Sequence, residues 1–271
     1  MNFDARGYWE DRLSVLDCSS VGYLGLGLSY NRWLYRVRRH VLRRLIRSRG
    51  LDLSDATVLD IGSGTGFYVA EWRDLGAKRV VATDLTDAAV AGLRARFADV
   101  ECRRLDVAAE LGDWPGQRFD VVSAFDVLFH VVDDDLYRAA IANLGRLVGD
   151  GGYLVVTENL VHGVRQSGRH HVSRTFDEVS TLLDRAGFDL VERRPAFVVM
   201  NSPVDARSAV RAKVWRVIET LAGKGEAVGF LLGALLYPLE IVLVSLVREG
   251  PSTEILLCRR RARAVGGAPG P

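Results

Sequence analysis

From residue 57 onward the chain alternates short apolar runs with longer stretches whose apolar residues recur every three or four positions. The short runs predict strands over 57–61, 79–83, 100–105, 119–125, 152–157, 189–199 and 253–259. The longer stretches predict helices near 67–74, 86–97, 134–148 and 176–186. The last of these opens on Thr175-Phe-Asp-Glu178, a capping-box pattern, and Gly187 is placed to stop it. Regular alternation of strand and helix implies an α/β fold, with a mostly parallel, doubly wound sheet covered on both faces.

Two regions break that rhythm. Residues 1–50 precede the first strand and predict a helical cover. Within them Gly7-Tyr-Trp-Glu-Asp-Arg12 sets aromatics beside charges, and a Gly-rich apolar loop spans 21–28. A basic helix follows from about Asn31 to Arg47, with Leu34, Val37, Val41 and Leu45 on its apolar stripe and most of its arginines off it. Residues 200–251 form an insertion before the final strand. Inside it, 227–247 is apolar except for Glu240, long enough by itself to cross a bilayer. Pro238 and Glu240 near its middle oppose that, as does the strand at 253–259, which a span would separate from its sheet. The run therefore reads first as a buried or lid-forming helical pair. A membrane-surface or substrate-lining patch is the second reading, and peripheral membrane contact or a homodimer contact through it stays open. The Gly- and Pro-rich tail 263–271 is expected to be disordered.

Composition changes this picture little. At 271 residues, with 48% hydrophobic and 26% charged positions, the chain fits one large α/β domain with appendages. A net charge of +2 gives no global case for nucleic acid. Cys18, Cys102 and Cys258 are scattered and odd in number, which favours a reducing, cytoplasmic setting and predicts neither a disulfide framework nor a metal site. No signal peptide is expected, because the first residues lack an apolar core.

The candidate chemistry starts at Val58-Leu-Asp-Ile-Gly-Ser-Gly-Thr-Gly-Phe67. Strand, tight turn and helix follow one another there. Gly62, Gly64 and Gly66 let backbone amides and a helix N-terminus approach a ligand closely. A dinucleotide fingerprint would need glycine at 67, where the chain has Phe67. Asp60 at the strand end suits a ligand carrying an ammonium group better than a pyrophosphate. Ligands in open α/β sheets bind beyond the carboxyl ends of the strands. Three more acids fall at such ends: Asp84, placed to accept from a ribose diol; Asp106, placed to accept from an exocyclic amine; and Asp126.

In these motifs the chain resembles the class I S-adenosylmethionine-dependent methyltransferases, over roughly residues 55–200 and the last strand. The resemblance implies that Asp60, Gly62, Ser63, Gly64 and Gly66 line the methionine part of S-adenosyl-L-methionine. It further implies that Asp84 with Leu85 holds the ribose, and that Asp106 and Val107, with Phe125, surround the adenine side. It implies a Rossmann-like, seven-stranded sheet whose last strand runs antiparallel. Residues 51–199 and 252–262 would then be the cofactor-binding domain.

A sulfonium methyl is already activated, so the protein needs mainly to align a nucleophile with it. A hydroxyl nucleophile also needs a base. His130, just after the fourth strand, is the candidate, with Glu158 at the end of the fifth strand placed to orient its imidazole. The layout is similar to small-molecule and sugar O-methyltransferases, whose acid at that place is typically Asp. A His that only packs over the cofactor is the competing reading. A basic cluster follows at His162, Arg165, Arg169, His170, His171 and Arg174, readable as a solvated loop or as a substrate clamp. Arg169 and His170, with Tyr8 and Trp9 of the N-terminal cover, are the candidate substrate contacts. The expected function is methyl transfer to a small-molecule hydroxyl on a natural product, sugar or lipid-like scaffold. A C-methyltransferase of quinone or isoprenoid type would not need His130. A cofactor-binding scaffold or cyclase that no longer transfers methyl is the alternative from a different class.

Overall fold

The computed structural model describes residues 4–13, 22–112, 114, 116–205 and 209–262. Its centre is a seven-stranded sheet built from β1 (Thr57–Ile61), β2 (Arg79–Asp84), β3 (Glu101–Arg104), β4 (Phe119–Ala124), β5 (Val148–Glu158), β9 (Phe188–Pro195) and β10 (Glu254–Arg260). The spatial order is β3-β2-β1-β4-β5-β10-β9. β1 pairs in parallel with β2 and with β4, and β10 runs antiparallel to both β5 and β9. The order reverses on either side of β1, between β2 and β4, which opens a crevice at the carboxyl ends of those strands.

Period-two alternation splits the strand residues between two cores. Val58, Val80, Val121, Val155 and Leu257 face one layer, packed against α2 (Gly27–Ser48), α3 (Phe67–Asp74) and α4 (Asp87–Arg96). Leu59, Val81, Val122, Leu154 and Leu256 face the other, under α5 (Asp134–Leu147) and α6 (Phe176–Arg185). Thr175 and Glu178 do form the reciprocal capping box at the start of α6, and Gly187 sits at φ +85° just beyond its end.

The insertion is a helical pair, α7 (Ala209–Ala222) and α8 (Glu226–Leu246). α8 lies along α2. A Cβ on Gly233 would stand 2.2 Å from Trp33, and one on Gly229 would stand 3.4 Å from Tyr30, so these two glycines set the close approach of the helices. Glu240, the lone charge of the apolar run, is fully buried. Its carboxylate accepts from the amides of Val198 at 2.6 Å, Val199 at 2.9 Å and Met200 at 3.3 Å. That turn takes the chain out of the sheet at Pro195, earlier than the predicted strand end at 199. Glu226 likewise accepts from Leu28 and Ser29 amides and lets α2 start at Gly27, ahead of the predicted Asn31. Two further differences concern pairing. β5 begins at Val148, before the predicted 152, through a bulged register with β4. Residues 160–175 form a small sheet of β6 (Leu160–Val161), β7 (Gln166–Ser167) and β8 (Val172–Thr175), where the sequence predicted only a basic loop. The tail 263–271 and Cys18 lie outside the described residues.

Candidate active site

Two adjoining cavities occupy the crevice. The first is lined by the β1–α3 turn (Gly62, Ser63, Gly64, Thr65), the ends of β2 and β3 (Asp84, Leu85, Asp106, Val107), and Phe125. The second holds about 470 Å³ and is walled by Tyr8, Arg12, Tyr23, Phe129, His171 and Asn201, among others. Trp9, Tyr35, Asp126 and His130 line both and form the partition between them.

The first cavity is shaped by backbone. Gly62, Gly64 and Gly66 have φ of +70°, +50° and +81°, a region costly for other residues. At Gly62 a Cβ would also meet Val127 at 2.3 Å. Gly66 does not reach the cavity; it starts α3 against Phe97. Ser63 donates from its hydroxyl to the Asp60 carbonyl and from its amide to the Thr83 carbonyl, which pins the turn to both strands. Asp84 accepts from the Gly64 amide at 2.9 Å and from the Thr86 amide and hydroxyl at 3.0 and 2.8 Å. Burial raises its pKa against those donors. Asn143 of α5 donates to the Val107 and Ala109 carbonyls and fixes the loop that carries Asp106 and Val107.

Asp60 lies beneath the turn rather than on the cavity wall. A buried relay runs to it: the Trp72 indole donates to Ser123 Oγ at 2.9 Å, and that hydroxyl donates to Asp60 Oδ1 at 2.6 Å. Burial pushes Asp60 up to about 6. Its Oδ2 is buried with no hydrogen-bond partner among the described residues. An acceptor left open under a ring of glycine amides, beside the strand-end carboxylate Asp84, fits a ligand with an ammonium end and a ribose.

The partition is tightly tied. Asp126 has φ +57°, the one described non-glycine residue in that region. Its amide donates to Thr157 Oγ1 at 2.7 Å, that hydroxyl donates back to Asp126 Oδ1 at 3.0 Å, and Asp126 Oδ2 pairs with Arg38 of α2. Phe125 stacks flat on Tyr68, centroids 3.7 Å apart. His130 Nδ1 lies 2.7 Å from the His170 carbonyl oxygen. Trp9 of α1 (Ala5–Leu13) meets the His130 ring edge-on at 4.9 Å, and Tyr8 stacks on His170 at 5.4 Å. The predicted contacts Tyr8, Trp9 and His170 therefore gather around His130.

Two predicted site residues do not join them. Glu158 is not the orienter of His130. Strand alternation turns its side chain to the same face as Leu154 and Val156, where Oε1 accepts from the Tyr137 hydroxyl at 2.7 Å. Burial pushes Glu158 up to about 7, and its Oε2 is buried with no hydrogen-bond partner among the described residues. Arg169 is exposed and lines neither cavity, because it stands in the turn between β7 and β8. In the same cluster Arg165 and Arg174 are bound to Asp134, and His162 bridges Asp205 and Glu249. Tyr35, Arg38 and Thr157 were not foreseen. Nothing in an arginine-rich helix sets Arg38 apart until the fold brings Asp126 to it.

With this geometry in hand, residues 58–152 match the methyltransferase domain family. A protein of Mycolicibacterium smegmatis described as a probable S-adenosylmethionine-dependent methyltransferase is 30% identical over 205 residues, which cover 71% of this chain and 75% of that one. The chain belongs to the S-adenosylmethionine-dependent methyltransferases, and S-adenosyl-L-methionine is its cofactor. The ribosomal protein L11 methyltransferase of Geobacter metallireducens is 39% identical over 104 residues, 38% of this chain; the match spans about a third (32%) of that protein's length. Among solved structures, the N-methyltransferase NodS of Bradyrhizobium japonicum, in complex with S-adenosyl-L-homocysteine, superposes with a TM-score of 0.57. It covers 96% of this chain and 100% of its own at 16% identity, a likeness of fold.

Proposed function

We propose that the protein transfers the methyl group of S-adenosylmethionine to a hydroxyl of a small aromatic molecule held in the second cavity, with His130 taking the hydroxyl proton. The cofactor supplies an electrophilic sulfonium methyl; everything else falls to the residues. Gly62, Ser63, Gly64, Asp84 and Asp106 would hold it, with Asp60 charging the turn from below.

The observation that carries the reading is the place of His130 in the partition, tied through Nδ1 to a carbonyl. A carbonyl oxygen only accepts, so Nδ1 bears the proton and Nε2 keeps its lone pair. Burial pushes His130 down to about 4, which keeps the imidazole neutral at neutral pH. A base that weak is matched to a hydroxyl that gives up its proton readily, such as a phenol or an enol. Tyr8, Trp9, Tyr35 and Phe129 around the second cavity suit an aromatic acceptor, and the cavity volume suits a small one. The test is turnover of labelled cofactor against phenols and aliphatic alcohols of similar size, in wild type and His130→Ala. Methylation of phenols that depends on His130 is expected. Equal rates in the two proteins would remove His130 as the base.

A further inference from the structure

The face of α8 turned away from α2 is apolar along its length. Val228, Leu231, Leu235, Leu239, Val242 and Leu246 follow one another at intervals of three or four and so share one stripe. All are exposed, Leu235 by 76% and Leu246 by 74%. Val210, Val214 and Val217 of α7 are exposed at the same spacing. The other face of α8 is already committed, through Gly229 and Gly233 to α2 and through Glu240 to residues 198–200.

Beside the stripe runs a second feature. A groove between α2 and α8 is lined by Arg36, His40, Arg44, Arg47 and, from α8, Tyr237. Neighbouring Arg39 and Arg43 are held by the buried Glu71, whereas Arg36, Arg44 and Arg47 have no ion pair among the described residues. Trp33 links the groove to Phe230, an exposed ring at the margin of the apolar face of α8. Its ring meets Phe230 at 5.7 Å and Tyr237 at 5.3 Å, and the Arg36 guanidinium lies over it at 4.1 Å. Apolar stripe, aromatic junction and arginine row succeed one another as acyl chain, interface and phosphate do in a bilayer leaflet.

We propose that α8 and this arginine groove seat the protein on the surface of an anionic phospholipid bilayer, with α8 lying in the interface. Charge decides for lipid over a second copy of the chain. α2 carries no acidic residue, and the two of α8, Glu226 and Glu240, are spent as caps, so a second copy meeting this surface through α2 and α8 would offer the arginines no acid from those helices. The surface also adjoins the second cavity. Asn201, Ser202 and Val204 help to wall it, and Tyr23 of its rim meets Trp215 of α7 at 5.6 Å. A membrane-dissolved acceptor would thus be met where it resides.

Cosedimentation of the full chain with vesicles tests this. Wild type is expected to bind phosphatidylcholine–phosphatidylglycerol vesicles about tenfold more strongly than phosphatidylcholine alone, and to lose that preference as salt rises. Leu231→Asp with Leu235→Asp, and separately Arg44→Glu with Arg47→Glu, should each weaken binding about tenfold. Calorimetry with S-adenosylhomocysteine should give wild-type affinity in both, which shows intact folding and separates this test from that of the methyl-transfer reading. No binding of wild type to the anionic vesicles would overturn the proposal, whatever the variants do. A concentration-dependent dimer dispersed by Leu231→Asp with Leu235→Asp, without vesicle binding, would assign the stripe to a second copy and overturn it too.

Discussion

The Nδ1 atom of His130 lies 2.7 Å from the carbonyl oxygen of His170, a contact that chooses the imidazole tautomer and aims Nε2 away from that carbonyl. His130→Ala removes the proposed base and is expected to lower kcat by about 10²–10⁴-fold with little change in affinity for S-adenosylhomocysteine. The pH dependence has a definite sign. Burial holds His130 at about 4, so the required neutral form persists through the ordinary histidine range and is lost only as pH falls toward 4. kcat/KM should show no limb near pH 6.5 on this account. A limb there that vanishes in His130→Gln would contradict the burial argument.

Asp84 sits at the end of β2 with its carboxylate on the first cavity and the Gly64 amide on its Oδ2. Asp84→Asn keeps the size but puts a donor where an acceptor is needed, against the Gly64 amide and against the ribose hydroxyl that the proposed function assigns to it. The loss of a hydrogen bond to a charged group is about 1.5–3 kcal/mol, so the dissociation constant for S-adenosylhomocysteine should rise by about 10–150-fold in calorimetry.

Glu158 stands apart from His130, with its side chain on Tyr137. It bonds to Tyr137 and faces the α5 side, so Glu158→Gln should leave kcat within about twofold of wild type, within the small cost of an isosteric change that leaves the site untouched. Its signature is in stability. Burial raises Glu158 to about 7, above its unfolded value of 4.5. The folded chain then keeps a proton that the unfolded chain releases between those values. That contribution is fully present below pH 4.5 and fades as pH rises through 7. Denaturant melts of wild type and Glu158→Gln across pH 5–8 should differ in slope, with the variant losing less stability as pH rises.

Much of this was legible in the chain. The seven strands, the four helices between them and the glycine turn with its strand-end acids depend on local pattern: periodicity, glycine spacing and acids at strand ends. The parts that were not legible depend on pairs far apart in sequence. Glu158 could not be assigned, because strand alternation decides which face a terminal residue takes and the exact strand end decides alternation. Glu240 read as an anomaly in an apolar run until the fold put three amides against it. Arg169 and His170 are adjacent in the basic cluster, yet a two-residue ladder at β7 and the turn after it send one to solvent and the other to the partition.

One acid ties the N-terminal helix to the start of α4 beside the first cavity. Glu10 of α1 accepts from the Asp87 and Ala88 amides at 3.0 and 2.9 Å, the open donors at the start of α4, and Arg6 pairs with Asp87 at 2.7 Å beside it. Ala5, Trp9 and Leu13 on the same helix line the cavity. The exposed Arg6–Asp87 pair contributes little by itself, whereas an acid satisfying helix N-terminal amides is worth about 1 kcal/mol. Glu10→Ala should therefore leave the melting temperature nearly unchanged, because the core beneath is untouched, while it loosens the cover. Dissociation of S-adenosylhomocysteine, followed by the fluorescence of Trp9 against a Trp9→Phe control, should quicken about fivefold, the rate equivalent of that energy. An unchanged rate would mean that α1 opens by a route that does not break its hold on α4.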